Sequence, residues 1–161
     1  MIRAVCSGSF DPVTNGHIDI FERASRMFDE LIICVFHNVN KQGFFPISQR
    51  AELIRESVKH LPNVRVMTFS GLLTEFMKQH EAKIIVRGVR SVKDLEYEEN
   101  AAYMNRHLAP EIDTVFLLTR PDYSFVSSSG IRELCHFHGS VHGLVPICVE
   151  QAIESAAIER K

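Results

Sequence analysis

The chain has 161 residues, of which 45% are hydrophobic and 24% are charged, and its formal net charge is −2 at pH 7. This length predicts one domain, over residues 1–161, that can bury a core without disulfides or a structural metal. The small negative charge argues against a nucleic-acid partner, and the lack of a membrane-span or signal-peptide pattern predicts a cytoplasmic protein with no membrane partner.

Strand-like and helix-like patterns alternate along the chain. Hydrophobic runs predict strands at residues 2–6, 31–36, 64–69, 83–87 and 114–118. Between and after them, helices are predicted near residues 17–28, 47–60, 71–80, 93–108, 128–138 and 146–160. This order predicts an α/β fold: one Rossmann-like, doubly wound parallel sheet of five strands, with helices on both faces and helices at the C-terminal end.

Two of the predicted helices carry hydrophobic residues at helical spacing. In the first helix the stripe consists of Ile20, Phe21, Ala24, Met27 and Phe28. In the helix at 93–108 it consists of Tyr97, Ala101, Met104 and Leu108. Such stripes are typical of a buried helix face, so we expect both helices to pack against the sheet.

The residues suited to phosphate binding follow predicted strands. Right-handed crossovers bring all loops that follow parallel strands to one edge of the sheet, where ligands bind. That edge should therefore gather Ser9, His17, Lys41, Arg87, Arg90 and Ser127–Ser129 around a single cleft. Because a helix cap needs only one serine, we expect the serine run both to cap a helix and to bind phosphate oxygens.

The segment at 7–17 is the strongest of these signals. Gly8 lets the backbone approach a ligand, Ser9 can donate a hydrogen bond, and His17 lies at a helix start, where free N–H groups favour an anion. Asp11 precedes a proline and is expected to form the turn. The alternative, a turn followed by a core histidine, does not account for the whole motif. The chain has no P-loop and no G-x-G-x-x-G motif, which leaves kinase and dehydrogenase functions without support.

Other patterns are better explained by structure than by metal binding. The four cysteines show neither a C-x-x-C spacing nor a zinc-finger spacing and are predicted to be reduced thiols. His136, His138 and His142, beside Cys135, fit no standard zinc site. The acidic residues at 94–99 are expected to form a solvated helix start. We therefore predict no metal held by protein side chains.

The ordered motifs resemble a known family. They are Thr14-Asn15-Gly16-His17, Arg87-Gly88-Val89-Arg90 and Val126-Ser127-Ser128-Ser129. They resemble the motifs of the nucleotidyltransferase superfamily that carries T/H-x-G-H, and within it those of the bacterial phosphopantetheine adenylyltransferases. The resemblance covers nearly the whole chain. The resemblance implies transfer of AMP from ATP to 4′-phosphopantetheine, giving dephospho-coenzyme A and pyrophosphate. It also implies that Mg²⁺ binds together with ATP, that the protein forms a homo-oligomer, expected to be a hexamer, and that coenzyme A can bind as a feedback ligand.

The resemblance also implies roles for matching residues. As catalytic residues it implies His17, Lys41, Arg87 and Ser128. For ATP it implies Ser9, Phe10, His17, Gly88, Val89, Arg90, Glu98, Tyr123, Ser124, Phe125, Val126, Ser127, Ser128 and Ser129. For phosphopantetheine it implies Ser9, Lys41, Leu73 and Arg87. The sequence departs from the common family pattern at Ser7, at Gly130 and around Lys41, and we expect the first two to adjust local geometry.

The chemistry of the reaction agrees with these residue types. A phosphate monoester has a second pKa of about 6, so the attacking phosphate is largely dianionic at neutral pH and needs no general base. In-line attack without a covalent enzyme intermediate then depends on positioning and charge stabilisation. Lys41, Arg87 and Arg90 supply positive charge, while His17 and Ser9 supply hydrogen bonds.

Two alternatives remain at this point. Another superfamily member, such as a nicotinate-mononucleotide adenylyltransferase or a cytidylyltransferase, commonly carries histidine where this chain has Thr14. A non-catalytic nucleotide-binding module would keep the glycines and the helix start but would not need the cations.

Overall fold

The computed structural model describes residues 1–37 and 43–159, and these residues form one five-stranded parallel sheet covered by helices. The strands are β1 (Arg3–Gly8), β2 (Glu30–Phe36), β3 (Val64–Phe69), β4 (Ile84–Val89) and β5 (Asp113–Leu118). They lie in the order β3-β2-β1-β4-β5, and each neighbouring pair is parallel. The chain thus builds outward from β1 in both directions, which puts the switch point between β1 and β4.

Six α-helices connect or follow the strands in the described residues. They are α1 (Asn15–Met27), α2 (Ile47–Val58), α3 (Leu73–Gln79), α4 (Val92–Leu108), α5 (Ser128–His136) and α6 (Ile147–Glu159), with a short 3₁₀ turn at Pro121–Tyr123. The predicted fold class is confirmed. Several boundaries differ. β1 runs to Gly8 and β4 to Val89, so Ser7, Gly8, Gly88 and Val89 belong to strands and not to the loops that follow them.

Successive strand residues face two separate cores. Leu31, Ile33 and Val35 of β2 pack into a cluster completed by residues of α1, α2, α5 and α6. Ile32 and Cys34, on the other face, pack with residues of α3 and with the connection between α4 and β5. Because both faces are buried, the strand is hydrophobic from Leu31 to Phe36, as expected for a parallel sheet. This burial holds the carboxyl ends of the strands in fixed positions.

The prediction for the first helix stripe largely holds, while that for α4 is wrong. Ile20, Phe21 and Ala24 of α1 are buried. In α4, by contrast, Tyr97, Met104 and Leu108 are 76%, 61% and 46% exposed, and Ala101 is also exposed.

The space beneath α4 explains the error. The core on that face is filled by Phe76 and Met77 of α3 and by Ala109 and Ile112, which lie between α4 and β5. The stripe on α4 is therefore left facing outward, although its helical spacing is regular. Hydrophobic periodicity identifies one face of a helix but not what covers that face.

All four cysteines are free: Cys6 and Cys34 are buried in strands, and Cys135 and Cys148 are partly buried. Across the described ranges of the chain, no helix is both long enough and hydrophobic enough to cross a membrane.

Candidate active site

A cleft of about 750 Å³ opens at the carboxyl edge of the sheet, where β1 and β4 diverge. Its walls come from the ends of these two strands, from the loop after β1, and from the first turns of α1, α4 and α5. Of the residues predicted for the site, it is lined by Ser9, Phe10, His17, Arg87, Gly88, Arg90, Glu98, Val126, Ser127, Ser128 and Ser129. Most of the predicted site residues therefore lie together at one edge of the sheet.

The remaining predicted residues lie elsewhere. Val89 is buried in β4, and Leu73 begins α3 and packs against the core on the far side of the sheet. The segment 123–125 lies just outside the cleft, where Phe125 is exposed. Lys41 lies outside the described residues. The roles implied for these residues remain predictions.

Several cleft residues were missed by the sequence reasoning. Arg132 lies one turn after Ser128 on α5, and Lys93 lies at the start of α4; both add positive charge to the wall. The four-residue spacing between Ser128 and Arg132 places them on one helix face, and this signal was readable in the sequence. Thr119, directly after β5, also lines the cleft.

The start of α1 fixes the ring of His17. Thr14 is the N-cap residue, and its Oγ1 accepts a hydrogen bond from the backbone N–H of His17 at 3.4 Å. In return, the backbone N–H of Thr14 donates to Nδ1 of His17 at 3.0 Å. A ring nitrogen that accepts a hydrogen bond carries no proton, so the proton of the neutral ring lies on Nε2. His17 is thus prepared to donate from Nε2.

The surroundings of His17 keep its ring neutral. Burial, together with the positive charges of Arg90 and Arg87, lowers the pKa of His17 to about 4. Phe10 packs edge-on against the ring, with 5.1 Å between ring centres. Gly8 makes room for Phe10, since a Cβ at position 8 would lie only 3.0 Å from the phenyl ring. At neutral pH the ring is therefore a hydrogen-bond donor and not an acid.

Arg87 is held in one orientation by a carboxylate. Its Nε donates to Oε2 of Glu98 at 2.6 Å, and its Nη2 donates to Oε1 at 2.7 Å. Its Nη1 donates to the backbone oxygen of Ser7 and lies 3.3 Å from the Ser7 hydroxyl. Such a two-point ion pair fixes the plane of the guanidinium as well as its position. Glu98 lines the cleft, but both of its oxygens contact Arg87.

Arg90 links two walls of the cleft. Its Nε donates to Oδ2 of Asp94 at 3.0 Å, and its Nη1 donates to the backbone oxygen of Val126 at 3.1 Å. Val126 immediately precedes the serine run, so Arg90 ties the turn after β4 to the start of α5. The positive charge thus stays beside the serines.

The three serines have different contacts. The Oγ of Ser127 caps α5 by accepting from the N–H of Gly130 at 3.0 Å. The hydroxyl of Ser128 donates to the backbone oxygen of Pro12 at 2.8 Å, which ties α5 to the loop after β1. Ser129 lies 3.2 Å from Ser127, oxygen to oxygen. The first-turn N–H groups of Ser128 and Ser129 are of the kind that bind anions at a helix start.

The cleft carboxylates do not fit a protein-held metal. Asp94 pairs with Arg90, and Glu98 pairs with Arg87. In the parts of the chain that the structure describes, no three side chains of His, Cys, Asp or Glu lie together in a way that could hold a metal ion. A metal ion in this cleft would therefore need ligands other than these two carboxylates.

The floor of the cleft contains a thiol. Burial raises the pKa of Cys6 to about 12, against the opposing effect of Arg87, and the charge of Glu98 adds to the increase. Cys6 is therefore fully protonated at neutral pH, and its side chain acts as a small hydrophobic group.

Residues 5–134 match the family model of cytidylyltransferase-like proteins. The chain is 51% identical over 154 residues to the phosphopantetheine adenylyltransferase of Shouchella clausii, covering 96% of this chain and 97% of that protein. It is 52% identical over 143 residues to the phosphopantetheine adenylyltransferase of Clostridium botulinum, covering 89% and 90% of the two chains.

A solved structure from Vibrio parahaemolyticus, assigned as a nicotinate-nucleotide adenylyltransferase, superposes with a TM-score of 0.67. The match covers 95% of this chain and 99% of that one at 17% identity. A likeness at this identity shows the shared fold.

The environment of His17 leads to a prediction about its titration. We expect the ring carbon signal of His17, in spectra of ¹³C-histidine-labelled protein, to show no inflection between about pH 5.5 and 8, because the folded ring takes up its proton only near pH 4. The unfolded chain binds that proton nearer pH 6.5. The contribution of His17 to the free energy of unfolding is therefore complete above pH 6.5 and is lost as the pH falls toward 4.

The signal of His17 is identified as the one that disappears in the His17→Asn variant. An inflection of that signal near pH 6.5 would contradict the lowered pKa of His17 and the burial that causes it.

Proposed function

Because the chain belongs to the cytidylyltransferase-like family and, within it, to the phosphopantetheine adenylyltransferases, we propose that it transfers the adenylyl group of ATP to 4′-phosphopantetheine. The products are dephospho-coenzyme A and pyrophosphate. The observation that carries this proposal is the cleft at the switch point, which is lined by a neutral His17 together with Arg87, Arg90 and the serine start of α5.

The proposed reaction is a direct displacement at phosphorus. A phosphate oxygen of phosphopantetheine forms a bond to the α-phosphorus of ATP, while the bond from that phosphorus to the bridging oxygen of the β-phosphate breaks. Pyrophosphate leaves with the electron pair. The attacking group is already a dianion for the most part at neutral pH, so no proton has to be removed from it.

The state of His17 supports a mechanism without a general base. Its Nδ1 already accepts a hydrogen bond from Thr14, and its Nε2 already carries the proton. The ring therefore has no free site for accepting a proton from a substrate. We assign His17 the role of donating from Nε2 to an oxygen of the α-phosphate, where charge increases in the transition state.

The cations are proposed to act in two groups. Arg87, with Lys41 and Ser9, is assigned to the phosphate of phosphopantetheine, and Leu73 to its pantetheine arm. Arg90 and the start of α5 are assigned to the phosphates of ATP, with the segment 123–126 beside the nucleotide. The fixed guanidinium of Arg87 supports its role as a cation for the reaction, because an oriented cation lowers the cost of bringing two anions together.

The acceptor substrate tests this proposal most directly. We expect purified protein, given ATP and magnesium, to release pyrophosphate with 4′-phosphopantetheine and not with nicotinate mononucleotide. Heat-inactivated protein serves as the control. Activity with nicotinate mononucleotide alone would assign the chain to another branch of the superfamily. ATP binding without turnover on any acceptor would indicate a non-catalytic module.

His17→Ala should separate binding from catalysis. We expect ATP affinity to change by less than about threefold and kcat to fall by a factor of about 10² to 10³, because the contact forms mainly in the transition state. Equilibrium binding and steady-state kinetics measure the two effects. His142→Ala, which alters an exposed histidine paired with Glu150, is the matched control. Unchanged turnover in His17→Ala would remove this role from His17.

We also propose that the chain forms a homo-oligomer through α4, with the hexamer implied by the family as the expected size. The exposed side chains of Met104 and Leu108 support this proposal, because hydrophobic side chains one helical turn apart are favourable to bury.

Coenzyme A contains the phosphopantetheine arm of the product, and we propose that it can bind the same cleft as a feedback ligand.

A charge placed in the α4 stripe should weaken the assembly. We expect native mass spectrometry to show a hexamer for the unmodified protein and smaller species for Met104→Glu, because a buried unpaired carboxylate is costly. Met27→Glu, the control variant, changes a methionine of similar exposure on α1 and should leave the number of subunits in the assembly unchanged. A monomer for the unmodified protein, or a hexamer for Met104→Glu, would contradict an interface at this position.

A further inference from the structure

We propose that Asp11 and Arg50 are positioning residues for the reaction: they hold the loop at 9–12 in the one conformation that packs Phe10 against His17. The effect on catalysis rests on the proposed function, whereas the effect on the loop and on His17 does not. Neither residue is among the predicted site residues, and Asp11 was expected only to form a turn.

The loop contains a backbone conformation that needs support. Phe10 has a φ of +45°, a value that residues with a side chain rarely adopt. The side chain is nevertheless almost completely buried, and its ring contacts both His17 and Phe21 edge-on. A strained residue persists only where the surrounding structure holds it. The contacts of its neighbours show what does so here.

The carboxylate of Asp11 reaches a distant part of the chain. Its Oδ2 accepts from the backbone N–H of Phe44 at 2.7 Å, and its Oδ1 accepts from the backbone N–H of Phe45 at 2.8 Å. Arg50 lies 3.8 Å from the same carboxylate, Nε to Oδ1. Asp11 and Arg50 are 7% and 6% exposed, respectively. A residue needed only for a turn would form hydrogen bonds with residues close to it in sequence, whereas Asp11 binds residues 33 and 34 positions away.

Arg50, from α2, completes the connection between the two segments. Its Nη1 donates to the backbone oxygen of Ser9 at 3.1 Å, and its Nε donates to that of Phe45 at 2.9 Å. A Cβ at Gly43 would lie 2.8 Å both from Arg50 and from Asp11, so the backbone is packed tightly around the pair. One guanidinium and one carboxylate thus join the loop at 9–12 to residues 43–45.

The other side of the loop is held by α5. The Nη1 of Arg132 donates to the backbone oxygen of Asp11 at 2.7 Å, and the hydroxyl of Ser128 donates to that of Pro12 at 2.8 Å. The carbonyls of Ser9, Asp11 and Pro12 are therefore all held by side chains from α2 or α5. With these three groups fixed, Phe10 has little freedom to leave the ring of His17.

Asp11→Asn tests this role with little change in size. An asparagine offers one acceptor oxygen and turns an NH₂ group toward a backbone N–H, so one of the two backbone hydrogen bonds is lost along with the charge facing Arg50. We expect kcat to fall about tenfold or more, while both KM values stay within about threefold, because His17 acts mainly in the transition state. We also expect faster hydrogen exchange at the backbone N–H groups of Phe44 and Phe45, which Asp11 binds, and a shift of the His17 ring signal.

Glu30→Gln is the matched control. Glu30 accepts hydrogen bonds from Arg3 and Arg65 at the opposite, amino edge of the sheet, so its loss also breaks a partly buried ion-pair cluster. We expect this variant to lose thermal stability yet to keep the kcat and the His17 signal of the unmodified protein. If it lowers kcat as much as Asp11→Asn does, the effect of Asp11 is only general destabilisation and the proposal fails.

Two further outcomes complete the test. If Asp11→Asn folds and keeps both the kcat and the His17 signal, the loop is held by other means and the proposal is wrong. If Asp11→Asn does not fold, Arg50→Gln is measured in its place, with the same expectations and the same outcomes against it. If the unmodified protein shows no adenylyltransferase activity, the proposed function fails, while the exchange and His17 signals still decide whether Asp11 and Arg50 hold the loop.

Discussion

Two of the hydrogen bonds between Thr14 and His17, both involving a backbone N–H, determine much of what this cleft can do. One of them begins α1, and the other decides which ring nitrogen carries the proton. Because the same residues start the helix and orient the imidazole, the donor is in place before a substrate arrives. In the proposed reaction, charge accumulates on the α-phosphate, and a donor that needs no reorganisation is the most effective kind.

The cations of the cleft show the same principle. Arg87 and Arg90 each face a carboxylate of α4, Glu98 and Asp94. These ion pairs reduce the net positive charge but fix the position and plane of each guanidinium. For a reaction between two anions, fixed geometry limits the entropy lost on binding, while the remaining N–H groups can still contact phosphate. Asp94 and Glu98 of α4 therefore orient the two arginines.

Much of this arrangement could be predicted from the sequence, because it follows from local rules. Buried strands give hydrophobic runs, and right-handed crossovers place the loops of β1, β4 and β5 at one edge, which brings Ser9, His17 and Arg90 together. What could not be predicted depends on contacts between distant segments. The stripe on α4 has correct spacing, but other residues fill the core beneath it. The carboxylate of Asp11 bonds to backbone groups more than thirty residues away, and no local pattern reveals such a contact.

The protonated thiol of Cys6 affects the chemical robustness of the site. Phosphopantetheine itself ends in a thiol, and in oxidised form such molecules exist as disulfides. Thiol–disulfide exchange requires a thiolate as the attacking group. With its pKa raised to about 12 by burial, Cys6 offers almost none at neutral pH. If phosphopantetheine is the substrate, as proposed, the cysteine in the floor of the cleft is therefore not trapped as a mixed disulfide by the oxidised form of that substrate.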